Sequence, residues 1–141
     1  MYSKFAVPIV FTTSCMKTSC GHILVIDDNE EILSTLSIIL KKKSYEVSVQ
    51  NKLDDWEATI KAIHPDLILL DKNLGWIDGC ELCQRIKANN NLQRIPVIMF
   101  SAYNKKREEC LLSGAADFLE KPFQMQHLLQ TIDFHLAESK A

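Results

Sequence analysis

Asp27, Asp28, Asp71, Ser101 and Lys121 are the residues of this 141-residue chain whose types and order suggest one joint chemistry. Taken singly each has an ordinary reading, because aspartate caps helices, serine makes turns and a lone lysine is usually solvated. Taken together they ask for a cation. Three carboxylates gathered in a small cleft raise one another's pKa unless a positive charge neutralises them. An all-oxygen donor set, without clustered histidine or cysteine, favours a hard ion. A few carboxylates with retained waters suit octahedral Mg²⁺ better than a Ca²⁺ cage, with Mn²⁺ a substitute. Such an ion would also neutralise an incoming phosphoryl oxygen, while Lys121 adds a second positive charge and Ser101 a hydroxyl donor. Asp71 would then be the nucleophile.

That chemistry requires elements that bring the five residues together. From His22 onward, short apolar runs alternate with amphipathic stretches at helical spacing, the pattern of five βα units around a parallel sheet. Strands are expected over residues 23–28, 45–49, 67–70, 96–100 and 116–120, the third an uninterrupted apolar run suited to a strand covered on both faces. The first helix carries Ile32, Leu33, Leu36, Ile39 and Leu40 on one face. The second carries Leu53, Trp56, Ile60 and Ile63 until His64 and Pro65 stop it. Leu82, Cys83 and Ile86 mark the third helix, and the fourth runs from after Asn104 to near Gly114. The fifth, from about Phe123, bears Leu128, Leu129, Ile132 and Leu136. In an open parallel sheet the functional crevice lies at the carboxyl ends of the strands. Those ends are Asp27 and Asp28, Asp71, Ser101 and Lys121.

Hydrophobic residues make up 47% and charged residues 24%, the balance of a globular protein, and a net charge of −2 with both signs interspersed gives no broad basic footprint. Direct nucleic-acid or membrane-surface binding is not expected. Five cysteines without the dense spacing of a secreted disulfide scaffold fit a reducing, cytoplasmic setting. Residues 1–20 read as a flexible arm or a start assigned too early, since Met16 also opens a plausible chain. The apolar stretch 5–11 resembles a weak export signal, but Pro8 interrupts it and only Lys4 precedes it with positive charge. Residues 21–141 form the single domain.

Four segments, ILVIDDNE, LILLDKNLGWIDG, IMFSAY and GAADFLEKPF, resemble the receiver domains of response regulators from two-component phosphorelay systems, in that family's order and separations. The resemblance covers about Gly21 to the end. It implies a flavodoxin-like, doubly wound α/β fold with strand order 2-1-3-4-5. It further implies that Asp71 accepts a phosphoryl group from a histidine kinase or histidine phosphotransfer protein. Asp28 and Asp71 would bind Mg²⁺ directly, Asp27 would bind it through water, and the backbone carbonyl of Asn73 would complete the protein ligands. Lys121 would pair with the phosphoryl group, and the Lys121–Pro122 peptide would be cis. Ser101 and the aromatic position, here Phe118, would form the switch, although core filling explains Phe118 equally well. Phenylalanine lacks the hydroxyl that a hydrogen-bonded switch would use. Gly75 stands where the family usually has proline and should loosen its loop. The expected protein is a switch and not a turnover enzyme, a monomer or phosphorylation-dependent dimer acting on an output protein that the sequence does not name. If the chain is complete, output runs through protein contacts; if it is a fragment, a DNA-binding or catalytic domain could follow Ala141.

Other signals weigh less. Cys80 and Cys83 form a C-x-x-C inside a helix and read as core filling, since no second ligand pair accompanies them. Lys105, Lys106 and Arg107 read as a solvated face or a partner surface. Trp76, in the loop after Asp71, reads as a reporter of ion binding or as a cover for apolar surface. Rival functions are a haloacid dehalogenase-type phosphatase, a flavodoxin-like cofactor binder and a receiver-like module that is never phosphorylated. Asn73 stands where the phosphatase needs a second aspartate, and no phosphate-cradling loop follows strand one.

Overall fold

A strand that is apolar at every position has no wet face, so it must lie inside a sheet covered on both sides. The computed structural model describes residues 20–52, 54–102 and 106–140 and bears this out for the two central strands. The arm before Cys20, Leu53, Asn104 and Lys105 lie outside the described residues.

The elements run β1 His22–Ile26, α1 Glu30–Lys42, β2 Glu46–Gln50, α2 Trp56–Ile63, β3 Leu67–Asp71, α3 Gly79–Ala88, β4 Val97–Ser101, α4 Arg107–Leu112, β5 Asp117–Glu120 and α5 Met125–Lys140. All strand pairs are parallel, in the order β2-β1-β3-β4-β5. This is the doubly wound order expected, 2-1-3-4-5. Every residue of β3 and β4 is buried. One core, against α2, α3 and α4, holds Leu24, Ile26, Ile68, Leu70, Met99 and Phe118. The opposite core, against α1 and α5, holds Ile23, Val25, Leu69, Phe100, Leu128 and Ile132. The period-two alternation of each strand thus divides its side chains between two helical layers.

Local signals set the ends. Asn29 caps α1 by accepting from the amides of Glu31 and Ile32, Asp55 caps α2 at Ala58, and Asp78 caps α3 at Cys80. His64 closes α2 in the left-handed region at φ 54°, and Gly114 follows α4 at φ 109°. Strands β2 to β5 match their expected bounds to within one residue at each end, and two other boundaries differ by two residues. β1 ends at Ile26, although the Asp27 amide still pairs with the Gln50 carbonyl at 3.2 Å. α5 begins at Met125, because its first turn closes from the Leu128 amide to the Gln124 carbonyl, and Phe123 instead packs edge-to-face on Phe100.

The first residue of α3 lies directly against the end of β3. A Cβ at Gly79 would fall 2.3 Å from the Asp71 carbonyl oxygen and 2.8 Å from the Lys72 Cα, both rigid backbone. Alanine would gain about 1 kcal/mol of helix propensity, but overpacking against backbone costs about 1–3 kcal/mol or more. Gly79→Ala should therefore lower the unfolding free energy by about 1–2 kcal/mol in urea titration. An unchanged or raised midpoint would show that α3 can back away from β3 freely.

Candidate functional site

The sheet reverses its winding between β1 and β3, and at such a switch point the loops after neighbouring strands diverge and leave a crevice. Asp27 and Asp28 follow β1, and Asp71 closes β3 beside them. Carboxylate oxygens of all three lie within 4.8 Å of one another. Asp27 and Asp71 are buried and Asp28 is exposed at the mouth. Lys121, from the β5–α5 segment, puts its ammonium 3.0 Å from Asp27 Oδ2 and 3.5 Å from Asp71 Oδ1, and over the Phe100 ring at 4.7 Å. The Lys121 amide donates to the Ser101 carbonyl at 2.8 Å, which ties that segment to the end of β4. The Lys121–Pro122 peptide is cis, as expected.

Electrostatics follow from this crowding. Burial, then the neighbouring Asp27 charge, push Asp71 up to about 6, with Lys121 and the Asn73 amide opposing. Burial also raises Asp27, against the Asn29 amide and Lys121. One ammonium therefore serves two buried carboxylates and does not fully offset their desolvation. An all-oxygen cluster in which burial holds Asp27 and Asp71 above the ordinary carboxylate range fits a hard divalent cation, and Asp27, Asp28 and Asp71 supply its carboxylates. Asn73 sits at the start of the next loop and is exposed.

Ser101 is fully buried at the end of β4, and Phe118, only 2% exposed, lies next to that strand on β5. Arg107 of α4 donates to the Phe118 carbonyl at 3.2 Å and stands over its ring at 5.9 Å. The ring is thus both core filler and part of a contact that joins α4 to β5. Gly75 adopts φ 84°, a conformation closed to proline, which explains why the loop carries glycine there. Trp76 packs partly buried on the α2–α4 core, and its indole N–H has no hydrogen-bond partner among the described residues.

Lys72 escaped the sequence reading. Its side chain is 7% exposed and pairs with Asp78 at 2.7 Å and Glu109 at 3.3 Å. Burial opposes its charge, but Asp78 and Glu109 outweigh burial and raise its pKa. The available signal was alternation: the residue after Asp71 turns to the opposite, helix-covered face, where a lysine must find carboxylates. Cys80 also needs correction. It occupies the second position of α3, in the first turn and not in mid-helix, yet burial and Cys110 raise its thiol pKa, so it is a buried thiol and not an activated thiolate.

Residues 23–133 match the response regulator receiver domain family. The chain belongs to that family. Among relatives of this receiver, the phosphate regulon transcriptional regulatory protein PhoB of Rhizobium meliloti is 31% identical over 120 residues, covering 84% of the chain and 53% of that protein. The DNA-binding dual master transcriptional regulator RpaA of Synechocystis is 34% identical over 113 residues, covering 79% of the chain and 47% of that protein. The receiver spans about half the length of these relatives. Among solved structures, a response regulator from Chloroflexus aurantiacus aligns with TM-score 0.78 at 27% identity, over 83% of this chain and 98% of that one. The BeF3-activated receiver domain of Klebsiella pneumoniae RstA aligns with TM-score 0.73 at 26% identity, over 82% and 97%. No helix among the described residues is long and apolar enough to cross a membrane.

The raised pKa of Asp71 has a sign that can be tested. Its folded value, about 6, lies above the ordinary 3.8, so between the two the folded state binds more protons than the unfolded. Its contribution to stability is fully present below the ordinary value and is lost as pH rises through the folded one. At about 1.4 kcal/mol per pH unit, that loss is on the order of 2–3 kcal/mol. Without divalent ions, Asp71→Asn should exceed the wild type by about 2 kcal/mol at neutral pH, the gap closing toward the ordinary carboxylate pKa. Urea unfolding across that range checks it, and a gap that does not vary with pH would refute the assignment.

Proposed function

We propose that this receiver is a phosphorylation switch whose acceptor is Asp71 and whose cofactor is Mg²⁺, with Mn²⁺ a substitute. The observation that carries the reading is the set of three carboxylates within 4.8 Å of one another beside a single lysine. Asp28 and Asp71 would ligate the ion directly, Asp27 through water, and the Asn73 carbonyl would join them. Bound there, the ion lowers the repulsion between an incoming phosphoryl group and the carboxylates.

The chain's own groups do the rest. The Asp71 carboxylate attacks the phosphorus of a histidine-bound phosphoryl group on a kinase or phosphotransfer protein, and the imidazole leaves. Lys121 moves its ammonium from two carboxylates toward the phosphoryl oxygens, and the Ser101 hydroxyl donates to another. With Asn73 in place of a second aspartate, no carboxylic acid stands ready to speed hydrolysis, which favours a persistent acyl phosphate over turnover. A groove of about 590 Å³ beside Lys121, lined by Asn29, Ile32, Thr35, Pro122, Phe123 and Met125, gives the donor an apolar seat at the mouth.

The switch is proposed to run from Ser101 through Phe118 to Arg107, because a serine drawn toward Asp71 changes the packing of the ring that Arg107 covers. Output then passes through the altered surface to a protein partner, in a monomer or a phosphorylation-dependent dimer in the cytoplasm. Direct contact with nucleic acid or membrane is not part of the proposal, although relatives roughly twice as long carry names that state DNA binding.

Intact-protein mass after acetyl phosphate treatment should show one phosphoryl adduct that requires Mg²⁺ and is absent in Asp71→Asn. Lys121→Ala should slow its formation on the order of a hundredfold. No adduct and no beryllofluoride binding by the wild type would leave a receiver-shaped interaction module. Independently, Mg²⁺ should change Trp76 emission saturably, since Trp76 follows Gly75 in the chain and a Cβ added at Gly75 would lie 3.7 Å from Asp28 Oδ2. In Asp28→Asn the midpoint should rise about tenfold or more; a response unaltered by that substitution would place the ion elsewhere.

A further inference from the structure

A second group of reactive side chains lies behind the acceptor strand, on the α3 and α4 side of the sheet. Cys80, in the first turn of α3, and Cys110, in α4, bring their sulfurs to 3.6 Å, a direct contact with no atom between them. Both are buried, Cys80 at 6% exposure and Cys110 at 0%. Around them Lys72 ties the same two helices together, through the α3 cap Asp78 and through Glu109, the neighbour of Cys110. We propose that Cys80 and Cys110 are a redox modification site, closed by peroxide into an intramolecular disulfide that joins α3 to α4.

Geometry selects this pair over the sequence-adjacent one. Cys80 and Cys83 are three apart on one helix, where β-carbons stand about 5–6 Å apart, whereas a disulfide needs them near about 3.8 Å. Bridging Cys80 to Cys83 would therefore unwind the turn that Asp78 caps. The sulfurs of Cys80 and Cys110 must approach from contact to about 2.05 Å, a closure that side-chain torsions can supply. Lys72 favours the thiolate of each, but burial outweighs it and holds both thiols above their ordinary pKa. Reaction should therefore be slower than at exposed Cys20 and faster as pH rises.

The chemistry balances with hydrogen peroxide as oxidant. The Cys80 sulfur attacks one peroxide oxygen, the O–O bond breaks, and a sulfenic acid and one water form. The Cys110 sulfur then attacks the Cys80 sulfur, the S–O bond breaks, and a second water leaves with the thiol proton. Two thiols lose two electrons, and the peroxide is reduced to two waters. Nothing in this proposal depends on phosphorylation of Asp71.

The test uses the full chain carrying Cys15→Ser and Cys20→Ser, which leaves Cys80, Cys83 and Cys110. After hydrogen peroxide treatment in native buffer, the protein is quenched in denaturant with N-ethylmaleimide and mapped without reduction. The expected result is that Cys83 alone takes the label, that Cys80 and Cys110 peptides are linked, and that dithiothreitol restores label at all three. Full labelling at every peroxide dose, a Cys80–Cys83 link, or loss of thiol only as sulfinic or sulfonic acid would overturn the proposal. In Cys110→Ala the linked species should vanish and a dimedone adduct should appear on Cys80. Because the decisive peptide map comes from a protein that keeps all three buried cysteines, poor folding of that variant does not blunt the test.

Discussion

Repulsion among Asp27, Asp28 and Asp71 is the constraint on which the rest of the site depends. The switch point between β1 and β3 forces these carboxylates together, and the apolar strands beneath deny two of them the water that would screen their charge. A fold that accepts such a cluster must offset it with positive charge. Lys121 does so in part, held in place because its own amide is pinned to the end of β4. The deficit that remains shows in the upward shift of Asp71, and it is the electrostatic reason why the proposed function assigns a cation to this crevice. Burying these carboxylates costs stability at neutral pH, the kind of cost that proteins commonly carry at functional sites.

The back of β3 solves a related problem differently. Lys72 enters the helix-covered face and is neutralised by two carboxylates from two helices, so the charge becomes a tie between α3 and α4. Gly79 lets α3 begin against the Asp71 carbonyl with no side chain between. Asp71 is thus gripped from behind by backbone contact and by an ion-pair network, while its carboxylate faces the crevice. Arg107 makes a parallel tie from α4 to β5 through Phe118. Taken together, α4 is fastened to the sheet mainly by polar and cation–π contacts at its first turn and by the buried thiol at its middle. Contacts of these kinds change with charge and redox state more readily than an apolar seam does.

Much of this was legible beforehand, for reasons that can be named. Five apolar runs separated by helical periodicity define a parallel α/β sheet because covered strands lose their polar face. The positions of Asp27, Asp28, Asp71, Ser101 and Lys121 at strand ends follow from the same reading. Local chemistry also fixed the stops at His64 and Gly114. Less legible were the start of α5, where Phe123 joins the core before the helix begins, and the place of Cys80 in its helix. The long loop before α3 gave no periodic signal to fix where that helix starts.

The amino-acid sequence by itself determined the fold class, the family and the residues gathered at the sheet edge, since side-chain alternation and strand-end position are properties of a linear pattern. Only the tertiary structure decided which charges share partners. One lysine is divided between Asp27 and Asp71, another is buried behind Asp71, Arg107 is laid on Phe118, and two thiols distant in sequence touch. Those facts depend on how helices settle against a sheet, where a rotation of one turn exchanges one neighbour for another, and no spacing along the chain records that choice.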